Sequence, residues 1–346
     1  MKEASFYEKL KGQRVHCVLC PHQCILAPEK IGICRVRKNI EGTLYSLVYG
    51  KTIALNVDPI EKKPLYHVYP GSRSLSMATV GCNFKCEFCQ NYDISQLPDN
   101  IRAHEIPGRE VTPEEIVTAA VLKNCKSIAY TYTEPTIYFE YAFDCAKLAH
   151  EQGILNVFVT NGYISGEALK TIAPYLDAAN VDLKGFDEAF YRKIVGGKLS
   201  AVLDSLRLMR KLNIFIEVTT LIIPGHNDTD EQLRAIAEFI KNDLGVETPW
   251  HISRFFPRYR MPDRNPTSLK TLKRAYEIGR ESALRYIYTG NLTFDAREDT
   301  LCHQCNTVLI ERQGYIIKKN SIKKDQSCPA CGAKIDGIGL SGDESL

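Results

Sequence analysis

Between residues 75 and 292 the chain alternates two hydrophobic patterns. Short, nearly unbroken apolar runs recur: LSMATV at 75, SIAYTYT at 127, ILNVFVT at 154, AANVDLK at 178, IFIEVTTLII at 214 and WHISRF at 250, with YIYTGN at 286 as a last, edge element. Runs of this length and composition predict buried strands. Stretches with helical starts lie between them. Thr112-Pro113-Glu114-Glu115 is a capping box with proline at the first helical position, and Asp228-Thr229-Asp230-Glu231 caps a later helix in the same way. Strands alternating with helices predict an α/β fold with a parallel sheet and right-handed crossovers. Six such units suggest a partial (β/α)6 barrel, whose site gathers at the carboxyl ends of the strands.

Polar motifs lie at those predicted ends. They are Tyr130-Thr-Tyr-Thr-Glu-Pro-Thr136, Val159-Thr-Asn-Gly162, Asn180-Val-Asp-Leu-Lys-Gly185, Ile223-Pro-Gly-His-Asn-Asp228 and His251-Ile-Ser-Arg-Phe-Phe-Pro257. Outside this region the pattern weakens, and three units are expected: a cysteine-rich segment over 1–70, the barrel over 71–298, and a C-terminal unit over 299–346. Two hairpin-like runs, TVLIER and YIIKKNSI, fall in the last of these with Gly314 at the turn.

Composition narrows the class. The 346 residues are 44% hydrophobic and 25% charged, ordinary for a globular protein. A net charge of +3 gives no field for nucleic acid or anionic lipid. No apolar run approaches the ~20 residues of a spanning helix, and the charged N-terminus has no secretory core. The expected location is the cytoplasm, with no membrane or nucleic-acid partner.

Thirteen cysteines change the picture. Eleven fall in three clusters: Cys17, Cys20, Cys24 and Cys34; Cys82, Cys86 and Cys89; Cys302, Cys305, Cys328 and Cys331. In a reducing compartment such clusters read as metal sites. The first, C-x2-C-x3-C-x9-C, is a loop-rich knuckle that a metal would staple: zinc, an auxiliary iron–sulfur cluster or no metal all remain open. His22 is left outside its ligand set. The last is two CxxC knuckles separated by 22 residues, the pattern of a zinc ribbon. Cys125 and Cys145 read as small core residues on helices.

The middle cluster differs. Cys82-x3-Cys86-x2-Cys89 follows the first predicted strand, after Gly81 at a sharp turn, with Phe88 before the last cysteine. A closed four-iron cubane takes four cysteines. With three, either a fourth ligand comes from elsewhere or one iron is left open, as a catalytic site keeps a position.

A CxxxCxxC loop with this aromatic, set after a strand, resembles the radical S-adenosylmethionine (radical SAM) superfamily. The resemblance implies a 4Fe-4S cluster on Cys82, Cys86 and Cys89, with its fourth iron chelated by S-adenosylmethionine. Reductive cleavage of the sulfonium would give a 5′-deoxyadenosyl radical that abstracts hydrogen from a substrate. It also implies a one-electron donor such as ferredoxin or flavodoxin. Cofactor-binding candidates follow. Glu134 or the carbonyls before it would take the methionyl ammonium, and Lys184 the carboxylate. Thr160, Asn161, Asp182 or Ser253 would take the ribose, and Phe88 would wall the adenine.

Thr133-Glu-Pro135, Thr160-Asn-Gly162 and Asp182-Leu-Lys184 resemble the glycyl-radical-enzyme activase branch over roughly residues 75–290, related to pyruvate formate-lyase-activating enzyme. A narrower family matches more. CVLCPHQC, GICRVR, TYTEPT, VDLKGF and HISRFFP resemble the AmmeMemoRadiSam-system radical SAM proteins, which implies a functional link to Memo-like and AMMECR1-like proteins. The substrate is not implied. Two other readings stay open: an activase that places a glycyl radical on a partner protein, and a zinc-ribbon scaffold or RNA-binding protein with an inactive barrel.

Overall fold

A computed structural model describes residues 1–98, 101, 105–292 and 296–341; the last five positions of the polar tail lie outside these. An eight-stranded sheet forms the middle of the chain. Its strands are β1 (Ala54–Pro59), β2 (Arg73–Ala78), β3 (Ser127–Tyr130), β4 (Leu155–Thr160), β5 (Ala178–Asp182), β6 (Phe215–Ile222), β7 (Trp250–Arg254) and β8 (Ile287–Gly290). They lie in sequence order from one edge to the other. β2 to β8 are parallel, as the apolar runs predict, and β8 is an edge. β1 adds an antiparallel edge against β2, pairing Asn56 with Ser76. The half-buried, alternating sequence of β1 does not announce it as part of this sheet.

Helices α1 (Pro113–Leu122), α2 (Phe139–Glu151), α3 (Gly166–Ile172), α4 (Leu199–Lys211), α5 (Asp230–Phe239) and α6 (Leu269–Glu281) fill the six connections from β2 to β8. Each buries one apolar stripe. In α4 this is Leu199, Val202, Leu206 and Met209, spaced three and four residues apart. The capping box of α1 forms in full: Thr112 Oγ1 accepts from Glu115 N at 3.2 Å, and Glu115 Oε2 accepts from Thr112 N at 2.7 Å. In α5 the cap is Thr229, one residue later than Asp228, whose carboxylate instead accepts from Gly225 N at 2.8 Å. Cys145 is buried on α2, but Cys125 lies in the turn beyond the end of α1.

The N-terminal segment departs from its expected loop-rich form. It holds two small antiparallel sheets, Tyr7–Leu10 with Arg14–Cys17 and Ile25–Leu26, and Lys2–Glu3 with Thr43–Ser46 and Arg37–Ile40. Alternation over only two to four residues is too short a signal to separate these strands from turns. Val15, Leu19, Val36 and Leu44 join the apolar core of the main sheet. The C-terminal hairpin forms as predicted, Val308–Gln313 against Ile316–Asn320 with Gly314 at φ +59°.

Beneath the sheet, far from the carboxyl ends, a buried polar knot ties β6, β7 and β8 to both flanking segments. Glu217 accepts from His67 N at 2.8 Å and meets His251 Nε2 at 2.6 Å. His67 Nε2 meets the Tyr288 hydroxyl at 2.6 Å, and its Nδ1 meets Asp336 O at 2.6 Å. Burial alone would raise the Glu217 carboxyl above its ordinary 4.5, but the His251 hydrogen bond and the two imidazoles hold it below. A depressed carboxyl adds stability above its ordinary value and loses it as pH falls through the folded value. Glu217→Gln is expected to cost on the order of 3 kcal/mol at neutral pH, with the gap to wild type narrowing below pH 4.5. Urea denaturation across pH checks this, and a pH-independent gap would remove Glu217 as its source.

Candidate functional site

The carboxyl ends of β2 to β7 open on a cavity of about 470 Å³. Cys82, Cys86, Phe88 and Cys89 enter from the loop after β2, and Glu134 from the segment after β3. Thr160 and Asn161 come from the end of β4, Asp182 and Lys184 from the end of β5, and Ser253 from β7. Every residue singled out in the sequence for cofactor binding therefore lines this one cavity. The register brings them level: Val181 pairs with Thr160, Asp182 with Thr219, and Ser253 with Leu221.

The cysteine loop has no regular structure and is held by its neighbours. Gly81 turns at φ +97°, and a Cβ there would lie 2.7 Å from Val36 and 2.8 Å from Cys34 O. Lys85 N bonds Val195 O at 2.8 Å, and Glu87 N bonds Ile194 O at 3.1 Å. Thr133 Oγ1 donates to Thr79 O at 2.8 Å, and Asn91 Nδ2 to Tyr132 O at 2.7 Å. Phe84 lies flush on Gly197, where a Cβ would sit 2.3 Å from the ring. Phe88 is buried and stacks on Phe190 with centroids 6.1 Å apart.

Electrostatics distinguish the polar residues. Burial pushes the Cys86 thiol up to about 12, against the pull of Lys184. Burial and the Glu134 carboxylate raise Cys82 well above its ordinary value. Such thiols stay protonated until a cation displaces the proton. Lys184 Nζ pairs with Asp182 at 2.9 Å, and its ammonium lies 5.8 Å from the Phe88 ring centre. Burial works against that charge, but Asp182 and Cys86 hold it firmly on. Ser253 Oγ accepts from Asn291 Nδ2 at 2.9 Å.

Glu134 lines the cavity with its carboxylate already engaged. Oε1 accepts from Thr136 N at 3.0 Å, Thr136 Oγ1 at 2.6 Å and Thr160 Oγ1 at 2.7 Å, while Oε2 accepts from Asn161 N at 2.8 Å. It braces the end of β3 against the end of β4. Of the carbonyls before it, Thr131 O accepts from Thr133 N at 2.7 Å and Tyr132 O from Asn91 Nδ2 at 2.7 Å, one bond each.

Several lining residues carried no motif. Lys62 and Lys63 both grip Asp58, at 2.8 and 2.7 Å, and the Tyr132 hydroxyl bonds the same carboxylate. Burial lowers Lys63 to about 8, partly offset by Asp58. Tyr315 reaches the cavity from the C-terminal hairpin. The DPIEKKP stretch reads as a polar turn, and no local pattern brings it to Tyr132, 74 positions from Asp58. The Gly196-Gly197 pair could have been noticed as a place of close approach.

The other cysteines form two further groups. The sulfurs of Cys302, Cys305, Cys328 and Cys331 all lie within 4.8 Å of one another, and the group could hold a metal ion. Cys302 and Cys331 are 3.6 Å apart, and Cys305 and Cys328 3.7 Å. Cys17, Cys20, Cys24 and Cys34 line a separate small cavity behind the cysteine loop. His22 shares that cavity, with Nε2 2.7 Å from Asn83 O.

Residues 77–240 match the radical SAM superfamily. The chain belongs to the radical SAM superfamily. An uncharacterized protein of Methanocaldococcus jannaschii is 46% identical over 339 residues, 97% of this chain and 99% of that one. The pyruvate formate-lyase-activating enzyme of Clostridium pasteurianum is 26% identical over 53% of this chain and 76% of its own. A radical SAM methyltransferase from Sphaerobacter thermophilus superposes with a TM-score of 0.49 at 16% identity, over 64% of this chain and 67% of that one. The chain is a radical SAM enzyme, and its family implies a 4Fe-4S cluster and S-adenosylmethionine. The cavity suits both. It offers three buried or half-buried thiols on one loop, and the Thr219 hydroxyl on its wall is buried without a partner among the described residues. No helix among the described residues is long and apolar enough to cross a membrane.

Gly197→Ala is expected to destabilise the radical SAM fold by roughly 1–3 kcal/mol, because the methyl group displaces Phe84 and the loop that carries it. Urea denaturation measures the loss; an unchanged midpoint would show that the loop yields without cost.

Proposed function

We propose that Cys82, Cys86 and Cys89 each hold one iron of a 4Fe-4S cluster whose fourth iron stays open to S-adenosylmethionine. Together the bound pair supplies reductive cleavage of the sulfonium and a 5′-deoxyadenosyl radical for hydrogen abstraction. The observation that carries this reading is the shared cavity, where three thiols of one loop face polar groups from the ends of five further strands. Lys184 supplies a fixed cation for the methionyl carboxylate. The carbonyls before Glu134 accept from the ammonium, while Glu134 positions Thr160 and Asn161. Those two, with Asp182 and Ser253, face the ribose, and Phe88 gives an apolar wall. The curved parallel sheet reads as a partial (β/α)6 barrel that keeps water from the radical. The substrate meets the cavity on the side of Lys62, Lys63 and Tyr315, which favours an anionic group.

A second reading, an activase acting on a partner protein, draws on the likeness to pyruvate formate-lyase-activating enzyme. The resemblance of the sequence motifs favours an AmmeMemoRadiSam-system protein, which implies a one-electron donor of the ferredoxin or flavodoxin type and a link to Memo-like and AMMECR1-like proteins in the cytoplasm. The C-terminal quartet serves as a zinc ribbon: its sulfur separations of 3.6 and 3.7 Å suit one ion with Zn–S arms of about 2.3 Å in a tetrahedron.

Two measurements test these assignments. After anaerobic loading with iron and sulfide, and reduction by dithionite, wild type is expected to convert S-adenosylmethionine to 5′-deoxyadenosine, detected by mass spectrometry. Cys86→Ala is expected to make none; product from this variant, or none from iron-loaded wild type, would sink the reading. Separately, Cys328→Ser is expected to lose about one zinc per chain by elemental analysis while keeping its iron. Retention of that zinc would detach it from the quartet.

A further inference from the structure

The four N-terminal cysteines differ in geometry from the C-terminal four. Among the described residues, only the C-terminal quartet draws its sulfurs within 4.8 Å of one another. That compactness belongs to a single ion, since arms of about 2.3 Å leave no room between the sulfurs. Cys17, Cys20, Cys24 and Cys34 line one cavity, yet among the described residues no three of them close to that spacing. A four-iron cubane sets its ligands farther apart than an ion does, because each sulfur binds a different iron.

The lining carries a second signal. Arg37 is 2% exposed, lies on this cavity, and brings Nη1 to 4.0 Å from Cys17 Sγ. Glu140 engages its Nη2, yet its Nε has no partner among the described residues. A buried guanidinium N–H left over beside four thiols is unexplained by the protein alone. It suits a sulfur-rich anion, whose sulfurs accept such hydrogen bonds.

We propose that Cys17, Cys20, Cys24 and Cys34 hold a second 4Fe-4S cluster, with all four irons closed by cysteine and Arg37 as its buried N–H donor. Four thiol protons leave as the ligands bind, so no redox partner is needed for assembly from ferrous and ferric iron with sulfide. This centre would lie directly behind the first. Cys34 O touches Gly81, and Asn83, on the wall of the N-terminal cavity, accepts from Asn161 Nδ2 at 2.8 Å. Asn161 Nδ2 is in turn 3.7 Å from Cys82 Sγ. With no open iron, the second cluster takes no S-adenosylmethionine.

The test removes each site in turn from the full chain. A variant with Cys82→Ala, Cys86→Ala and Cys89→Ala, loaded anaerobically, is expected to keep about four irons and four sulfides per chain. Its dithionite-reduced paramagnetic resonance signal is expected not to move on addition of S-adenosylmethionine. Cys20→Ser with Cys24→Ser is expected to lose about four irons relative to wild type and to keep the signal that S-adenosylmethionine shifts. An additional zinc in place of those irons, or an unchanged iron content in the Cys20/Cys24 variant, overturns the proposal. Equal iron in wild type and the triple variant would instead fault the assignment of Cys82, Cys86 and Cys89, so the two failures are told apart.

Discussion

A loop without helix or strand must find partners for its backbone elsewhere, and the cysteine loop after β2 finds them on every side. Residues 194–195 take two of its amides, Ile94 O takes the amide of Gly81, and Arg260 N donates back to Glu87 O. Gln96 reaches Phe84 O, and His22 reaches Asn83 O. These bonds come from segments that run from the N-terminal sheet to the turn after β7. Buried amides left unpaired would be costly, so the loop's shape is set by the fold around it. The three thiols inherit that fixed spacing before any iron arrives.

Each thiol group beside this loop has a buried cation held by a carboxylate. Lys184 sits near Cys86 and pairs with Asp182; Arg37 sits near Cys17 and pairs with Glu140. Thiolates on a metal bring negative charge into a dry interior, which is tolerated only when paired. The carboxylate keeps the cation in place and charged while the sulfur is still a neutral thiol. Neither pair lies in the C-terminal quartet, where Cys302 and Cys328 are buried but Cys305 and Cys331 are exposed to solvent.

Most of the sheet was legible in the sequence because parallel strands buried on both faces are almost wholly apolar. That same signal placed Thr160, Asp182 and Ser253 at strand ends. What remained hidden depends on distance along the chain. Lys62 and Lys63 reach the cavity only because β1 doubles back beside β2, and Tyr315 only because the C-terminal hairpin folds over the same rim. Glu134 looked like a ligand for an ammonium; its four protein donors come from residues 136, 160 and 161, and the last two are brought near only by the pairing of β3 with β4. Cys17 to Cys34 could be seen as a metal motif, but the width of the space between them is a tertiary property.

The pairing of Arg37 with Glu140 spans 103 positions, and Lys2 reaches Asp144 on the same helix. During synthesis the N-terminal cysteines leave the ribosome well before α2 exists to supply Glu140 to Arg37. For that interval they are an open, thiol-rich ribbon, vulnerable to oxidation and to adventitious metal. The last residues to line their cavity, Thr136 and Ile137, stand just before α2, so the cavity is completed only after the growing chain has passed them. A group enclosed by that cavity could be enclosed only after this point, so the order of translation bears on how the site is filled.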